Sequence, residues 1–173
     1  PAQFFSGCTA LTSVTLSGIT SIGYSAFEGC SALTSITIPS NVTGINDHAF
    51  DGCTKLETVV LPEGLTSLKT PIRQLSLLDP TIPVAAIFKN CTSLKTITFP
   101  NSLTDMDTNV FEGCTALTTV NFGTGALSIG ADSFKGCTSF KNIVIPATVS
   151  KILAGAFNGI ADDAVIHVPF ASQ

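Results

Sequence analysis

Charge is scarce in this sequence. Only 12% of the residues are charged and the net charge is −4, against about 25% charged residues in an ordinary soluble domain. The polar residues are instead Thr, Ser, Asn and Gly. Without a basic patch, nothing pulls the chain toward nucleic acid or an anionic membrane. Although 45% of the residues are hydrophobic, no apolar run approaches the length of a membrane span. No signal peptide and no initiator Met open the chain. It starts at Pro1, inside a repeated unit, so a piece of a longer protein is expected, with its sorting signals elsewhere.

Chemical signatures are equally sparse. There is no Walker loop, zinc signature, nucleophile elbow or Gly-rich phosphate cradle. No two Cys stand at the short spacing a metal site needs. The two His, His48 and His167, have no nucleophile tied to them. Asp47 and His48 are sequence neighbours, and on an extended segment their side chains point apart. Both His read as surface residues. With no clustered acid, base or nucleophile, the expectation is a non-catalytic chain without cofactor or metal.

What the sequence has is one phrase, repeated. Phe-x-(Gly/Asn)-Cys occurs at Phe5–Cys8, Phe27–Cys30, Phe50–Cys53, Phe88–Cys91, Phe111–Cys114 and Phe134–Cys137. A seventh copy, Phe157-Asn-Gly-Ile160, lacks its Cys. The Phe-to-Phe spacings are 22, 23, 38, 23, 23 and 23. A fixed period of this size marks a solenoid, in which each unit touches only its neighbours.

Aligned on Cys, the copies read as one coil. An apolar residue follows three positions later (Leu33, Leu56, Leu94, Leu117, Phe140). Then come alternating pairs such as Ile36 and Ile38, Val59 and Leu61, Ile97 and Phe99, which predict a short strand with one buried face. Pro39, Pro62, Pro100, Pro146 and Pro169 end it. A turn then buries a second pair: Val42 and Ile45, Leu65 and Leu68, Leu103 and Met106, Ala126 and Ile129, Val149 and Ile152. Gly23, Asn46, Asp107 and Gly130 share the next position, where a left-handed turn is expected. A second such turn is expected before each Cys, where Asn90 is the one residue other than Gly. Stacked coils then build a Phe ladder (Phe27, Phe50, Phe88, Phe111, Phe134, Phe157), a Cys ladder (Cys8, Cys30, Cys53, Cys91, Cys114, Cys137) and one parallel sheet with rungs about 4.8 Å apart.

The run Leu33 to Cys53, Leu-x-x-Ile-x-Ile-Pro-x-x-Val-x-x-Ile-x-x-x-Ala-Phe-x-Gly-Cys, resembles the BspA-like (Treponema pallidum type) leucine-rich repeat. The resemblance covers essentially the whole chain. It departs from the general leucine-rich consensus in having Pro at the strand exit and no Asn ladder. It implies a curved right-handed leucine-rich repeat solenoid of about 23-residue coils. The sheet would lie on the concave face and a mostly irregular or short-helical segment on the convex side. The expected layout is a single domain over 1–173 with about seven repeats, the first truncated and the last capping. The resemblance also implies a cell-surface or extracellular protein concerned with adhesion or protein–protein interaction. Its partner would be a protein or glycan on a host or microbial surface. No membrane insertion is expected, and the chain reads as a monomer. The second reading is a structural spacer with no ligand of its own.

Candidate positions follow from the coil. The Cys share one place in successive coils, so their side chains run parallel and inward. Disulfides need converging Cβ vectors, whereas a buried thiol behaves as a small hydrophobe. The outward strand positions form a stripe: Ser35, Thr37, Thr58, Val60, Thr96, Thr98, Thr119, Asn121, Asn142 and Val144, preceded by Ser13 and Thr15. Extended faces of this kind are what solenoids use for binding. Equally, Thr and Val suit any solvent-facing strand, and the stripe has no Tyr, Trp or Arg. The one irregularity is an insertion at about 69–84 with Arg73, Gln74, Leu77 and Leu78. It reads either as a binding loop or as a loop packed on the flank, and its Gln-Leu-Ser-Leu-Leu stretch as one helical turn. Asn41-Val-Thr43 and Asn90-Cys-Thr92 match the N-glycosylation pattern, which arises readily by chance in such a chain.

Overall fold

Each coil makes two short strands. The computed structural model describes residues 3–69 and 85–169. Twelve strands alternate along these residues: β1 (Ser21–Ile22), β2 (Ser35–Thr37), β3 (Gly44–Ile45), β4 (Thr58–Val60), β5 (Ser67–Leu68), β6 (Thr96–Thr98), β7 (Asp105–Met106), β8 (Thr119–Asn121), β9 (Ser128–Ile129), β10 (Asn142–Val144), β11 (Lys151–Ile152) and β12 (Val165–His167). The even strands are the ones predicted. They form the sheet β2-β4-β6-β8 and the pair β10-β12. The odd strands form a second, six-stranded sheet, β1-β3-β5-β7-β9-β11, where the sequence had suggested only a turn. All pairings are parallel. The correction, a second run of strands on the coils, has a simple cause. The second apolar pair of a coil also needs its backbone satisfied, and the neighbouring coil offers matching groups. The described residues contain no helix, so the return side consists of turns.

Register puts like on like. Ile36 faces Val59, Ile97 faces Val120, Ile143 faces Ile166, and in the second sheet Ile22 faces Ile45. The inward residues of β2, β4, β6 and β10 are buried and their neighbours exposed. The stack continues across the insertion, because β5 pairs with β7 and Phe50 stacks on Phe88 at 5.2 Å. The insertion therefore leaves the register of the coils on either side intact.

Two inward assignments change. Ala126 is exposed, and Leu127 takes its place in the core at 3% exposure. Gly123 and Gly125 replace the Pro-led turn there, and both pass so close to the carbonyls of the preceding coil that a side chain would clash. The altered turn brings in the next residue. Ile152 is 41% exposed and Val149 half-buried, since among the described residues the second sheet ends at β11. On the last described strand and just after it, Ile166 and Val168 are 41% and 57% exposed.

The left-handed positions also move. Gly23, Asn46, Asp107 and Gly130 do not have positive φ; the row two residues later does, at Ser25, His48, Asn109 and Asp132, with Gly155 after them. Gly130 is required for another reason. A Cβ there would collide with the carbonyl of Asp107 in the coil before. Asp107 itself caps the turn, its Oδ1 accepting the Thr108 N–H at 2.8 Å. The turn before each Cys is left-handed as predicted, from Gly29 and Gly52 to Gly113 and Gly136, with Asn90 at φ +58°.

Candidate functional site

The Phe column is the spine of the molecule. Successive rings from Phe27 to Phe157 stack at 5.2–5.5 Å with interplanar angles of 1–7°. Such offset parallel pairs add to the stabilisation from burial alone.

Beside it runs the Cys column. Cys30, Cys53, Cys91, Cys114 and Cys137 are buried, all six Cys are free thiols, and Cys8, in the first coil, departs from the inward expectation by being exposed. Each buried thiol donates to the Phe carbonyl one coil back: Cys30 to Phe5 at 3.1 Å, Cys53 to Phe27 at 3.1 Å, Cys91 to Phe50 at 3.3 Å, Cys114 to Phe88 at 3.1 Å and Cys137 to Phe111 at 3.2 Å. The same carbonyls accept the Cys N–H of their own coil, as at Phe50 and Cys53, 3.1 Å. A hydrocarbon of equal size would fill the space but leave out one of these bonds.

Burial pushes the Cys53 and Cys137 thiols up to about 12, and those of Cys91 and Cys114 well above their usual range. Two results are expected. At pH 8, a thiol-specific reagent reacts promptly with Cys8 alone, and with the other five Cys only after denaturant is added; rapid modification of Cys91 in the native protein would contradict the packing. The folded state holds thiol protons that the unfolded state releases. The stability from the neutral thiols is therefore complete below about pH 8.5 and is lost as pH rises through the folded values near 12. Urea midpoints measured from pH 8 to pH 11 should fall steadily.

The outward stripe is where the strands place it. Ser35, Thr37, Thr58, Val60, Thr96, Thr98, Thr119, Asn121, Asn142 and Val144 are all exposed. Val60 and Val144 are 58% and 64% exposed. Asn121 Nδ2 donates to Thr98 Oγ1 at 3.0 Å, across adjacent rungs. The charges bordering this face are paired: Lys95 with Glu57 at 3.0 Å, and Lys141 with Asp163 at 2.8 Å. The hydrogen bond from Lys141 holds the Asp163 carboxyl below its ordinary value. Along the return ridge, Glu112 lies between Lys89 (2.9 Å) and Lys135 (3.7 Å). Burial alone would raise its pKa, but the hydrogen bonds from Lys89 and Asn109 and the two positive charges bring it below the usual range.

His48 differs from its reading as a surface residue. Its side chain is only 13% exposed, and Nδ1 lies 3.0 Å from Asp51 Oδ2. The partner is thus three residues on, not the adjacent Asp47, whose Oδ1 accepts the Ala85 N–H at 2.8 Å. The spacing was visible in the sequence: Asn109 and Glu112 repeat it, with Asn109 Nδ2 donating to Glu112 at 2.7 Å. His167 ends β12 and is exposed. Arg73, Gln74, Leu77, Leu78 and the predicted helical turn lie outside the described residues. Asn41 and Asn90 are both exposed; Asn41 Nδ2 donates to the Ile19 carbonyl at 2.6 Å, and Asn90 occupies its left-handed turn with its amide on Asp51 at 3.3 Å.

Among the described residues no group of three or more His, Cys, Asp or Glu is placed to hold a metal ion, and no helix is long and apolar enough to cross a membrane. The comparisons with known proteins point one way. No curated protein is significantly similar in sequence. Of solved structures, a leucine-rich repeat protein of Treponema pallidum is 30% identical with a TM-score of 0.51, covering 83% of this chain and 50% of that one. A leucine-rich cell surface protein of Faecalibacterium prausnitzii is 25% identical with a TM-score of 0.62, covering 87% and 36%. A leucine-rich repeat protein of Bacteroides ovatus is 27% identical with a TM-score of 0.55, covering 91% and 43%. The chain thus spans half or less of each of these structures. The BspA type leucine rich repeat profile matches residues 1–83 and 81–169, in six copies. With its Phe and Cys columns and its parallel ladders, the chain belongs to the BspA-type leucine-rich repeat family.

Proposed function

We propose that this chain is a non-catalytic binding module displayed outside the cell, meeting a protein or glycan on a host or microbial surface through the outward face of the first sheet. The observation that carries this is the continuous exposure of the stripe from Ser35 to Val144 on a stack whose rings depart from parallel by only 1–7°. A rigid face costs little ordering on binding, and Thr and Val hold few rotamers. The cell-surface description of the Faecalibacterium relative supports the location. Paired lysines at the border of the face argue against nucleic acid.

The second reading, a spacer without its own ligand, is favoured by one specific feature: the stripe has none of the Tyr, Trp or Arg that dominate binding energy. Surface-plasmon binding to a panel of matrix proteins and glycans separates the two. Saturable binding that is lost when Thr37, Thr98 and Asn121 are replaced together by Ala supports the outward face. Loss only on deleting residues 69–84 moves the site to the insertion. No binding to any member of the panel leaves the spacer.

A further inference from the structure

In a repeat protein, the places where the repeat is broken are where chemistry can be local. Columns of Phe, Cys and Thr serve every coil alike. One cluster does not. Tyr24, the only Tyr in the chain, stands three residues before Phe27, a place taken by Ala131 and Ala154 in later coils. Its ring is 43% exposed and meets the His48 ring edge-on, with centroids 6.0 Å apart. His48 Nδ1 is 3.0 Å from Asp51 Oδ2, and Asn90 Nδ2 donates to Asp51 Oδ1 at 3.3 Å. An aromatic ring, an imidazole, a carboxylate and a carboxamide thus lie in one connected patch across three successive coils. Ala85 lies beside it, its carbonyl accepting the His48 N–H at 2.8 Å.

We propose that the Tyr24–His48–Asp51–Asn90 patch is a binding site for a neutral sugar, separate from the outward face of the first sheet. The chemistry fits this ligand class. A sugar ring presents an apolar C–H face, which packs on an aromatic ring, and a rim of hydroxyls that donate and accept. Asp51 accepts, and Asn90 both donates and accepts. The carboxylate is already oriented by His48 and Asn90, so its direction is set before a ligand arrives. Among the described residues, Lys89 beside Asn90 is paired with Glu112 at 2.9 Å, so it does not select an anionic sugar. With one aromatic ring to pack on, a single sugar binds weakly, and a polymer carrying many copies would gain by multivalency.

The test is an NMR titration of the isotope-labelled chain with the methyl glycosides of glucose, galactose, mannose and N-acetylglucosamine. At least one should shift the amides of Tyr24, His48, Asp51 and Asn90. Tyr24→Ala should weaken that binding about tenfold or more, while Tyr24→Phe, which keeps the ring, retains most of it. Thermal unfolding of both variants should match the parent, because the Tyr24 side chain is exposed. Replacing Thr37 and Thr98 by Ala should leave the titration unchanged. The proposal is overturned if no probe shifts these amides, if Tyr24→Ala binds as well as the parent, or if the shifts fall on the first sheet instead.

Discussion

Phe111→Ala will lower stability by about 3–5 kcal/mol, the range for deleting a large buried aromatic side chain. Phe111 is fully buried. It stacks on Phe88 at 5.3 Å and on Phe134 at 5.5 Å, and meets Phe99 at 5.8 Å. The void left behind cannot close easily, because the rings on both sides are fixed by their own coils. The effect also has a shape. Coils interact only with neighbours, so stability is a sum of unit and interface terms. Weakening both interfaces of one central coil should split a single urea transition into two, as the halves on either side lose their coupling. Phe157→Ala is the control. Phe157 is half-buried and has one neighbour in the column, Phe134, so its loss should cost less and leave one transition. A loss below about 1.5 kcal/mol at Phe111 would mean that the column is looser than its near-parallel rings imply.

Gly130→Ala should be as damaging, by about 3 kcal/mol or more, although it adds only one methyl group. The φ of Gly130 is not the obstacle, since it is absent from the left-handed positions. The obstacle is Asp107 in the preceding coil, whose carbonyl occupies the space a Cβ would need. That carbonyl also accepts the Ser133 hydroxyl at 2.9 Å, so relief requires moving two coils apart. Gly52→Ala makes the comparison. Its φ is +73° but the nearest atoms to a built Cβ are 3.7 Å away. Only left-handed strain remains, about 1–2 kcal/mol, and Asn90 shows that a side chain is tolerated at that position. At about 2–4 °C per kcal/mol for a chain of this size, calorimetry should place Gly52→Ala well above Gly130→Ala. Equal melting temperatures would refute the close approach.

These two glycines show what the sequence can and cannot convey. The row containing Gly29, Gly52 and Asn90 announces its conformation, because Asn is the usual substitute for Gly in a left-handed turn. The row containing Gly130 looked the same, with Gly, Asn and Asp, yet its cause is distance to another coil. Distance between coils leaves no mark in a one-dimensional pattern. The first sheet was legible because Ile36 and Ile38 alternate with exposed residues over several positions. The second sheet was not, because two-residue strands such as Gly44–Ile45 are too short to alternate. Ala126 was assigned to the core by counting from Cys114, and the count failed where Gly123 and Gly125 reshape the turn. At the candidate sites, the stripe could be read from alternation alone. The His48–Asp51 pair is harder to read: its three-residue spacing recurs at Asn109 and Glu112, but the contact depends on a left-handed residue whose side chain reaches three positions on.

The thiol column has a further implication. Every interior coil offers a sulfhydryl donor on one face and a Phe carbonyl acceptor on the other, at 3.1–3.3 Å. The contact therefore has a direction, like a row of tiles with a tongue on one edge and a groove on the opposite one. A unit cut out, duplicated or moved in the gene rejoins its neighbours with tongue to groove still matched, whatever the number of units. A unit inserted backwards would not. Changing the length of such an array is then nearly free of folding cost, while reversing any part of it is forbidden. Ile160, which stands in the Cys position of the last coil, has no thiol to offer the Phe134 carbonyl, and there the row of tongues stops.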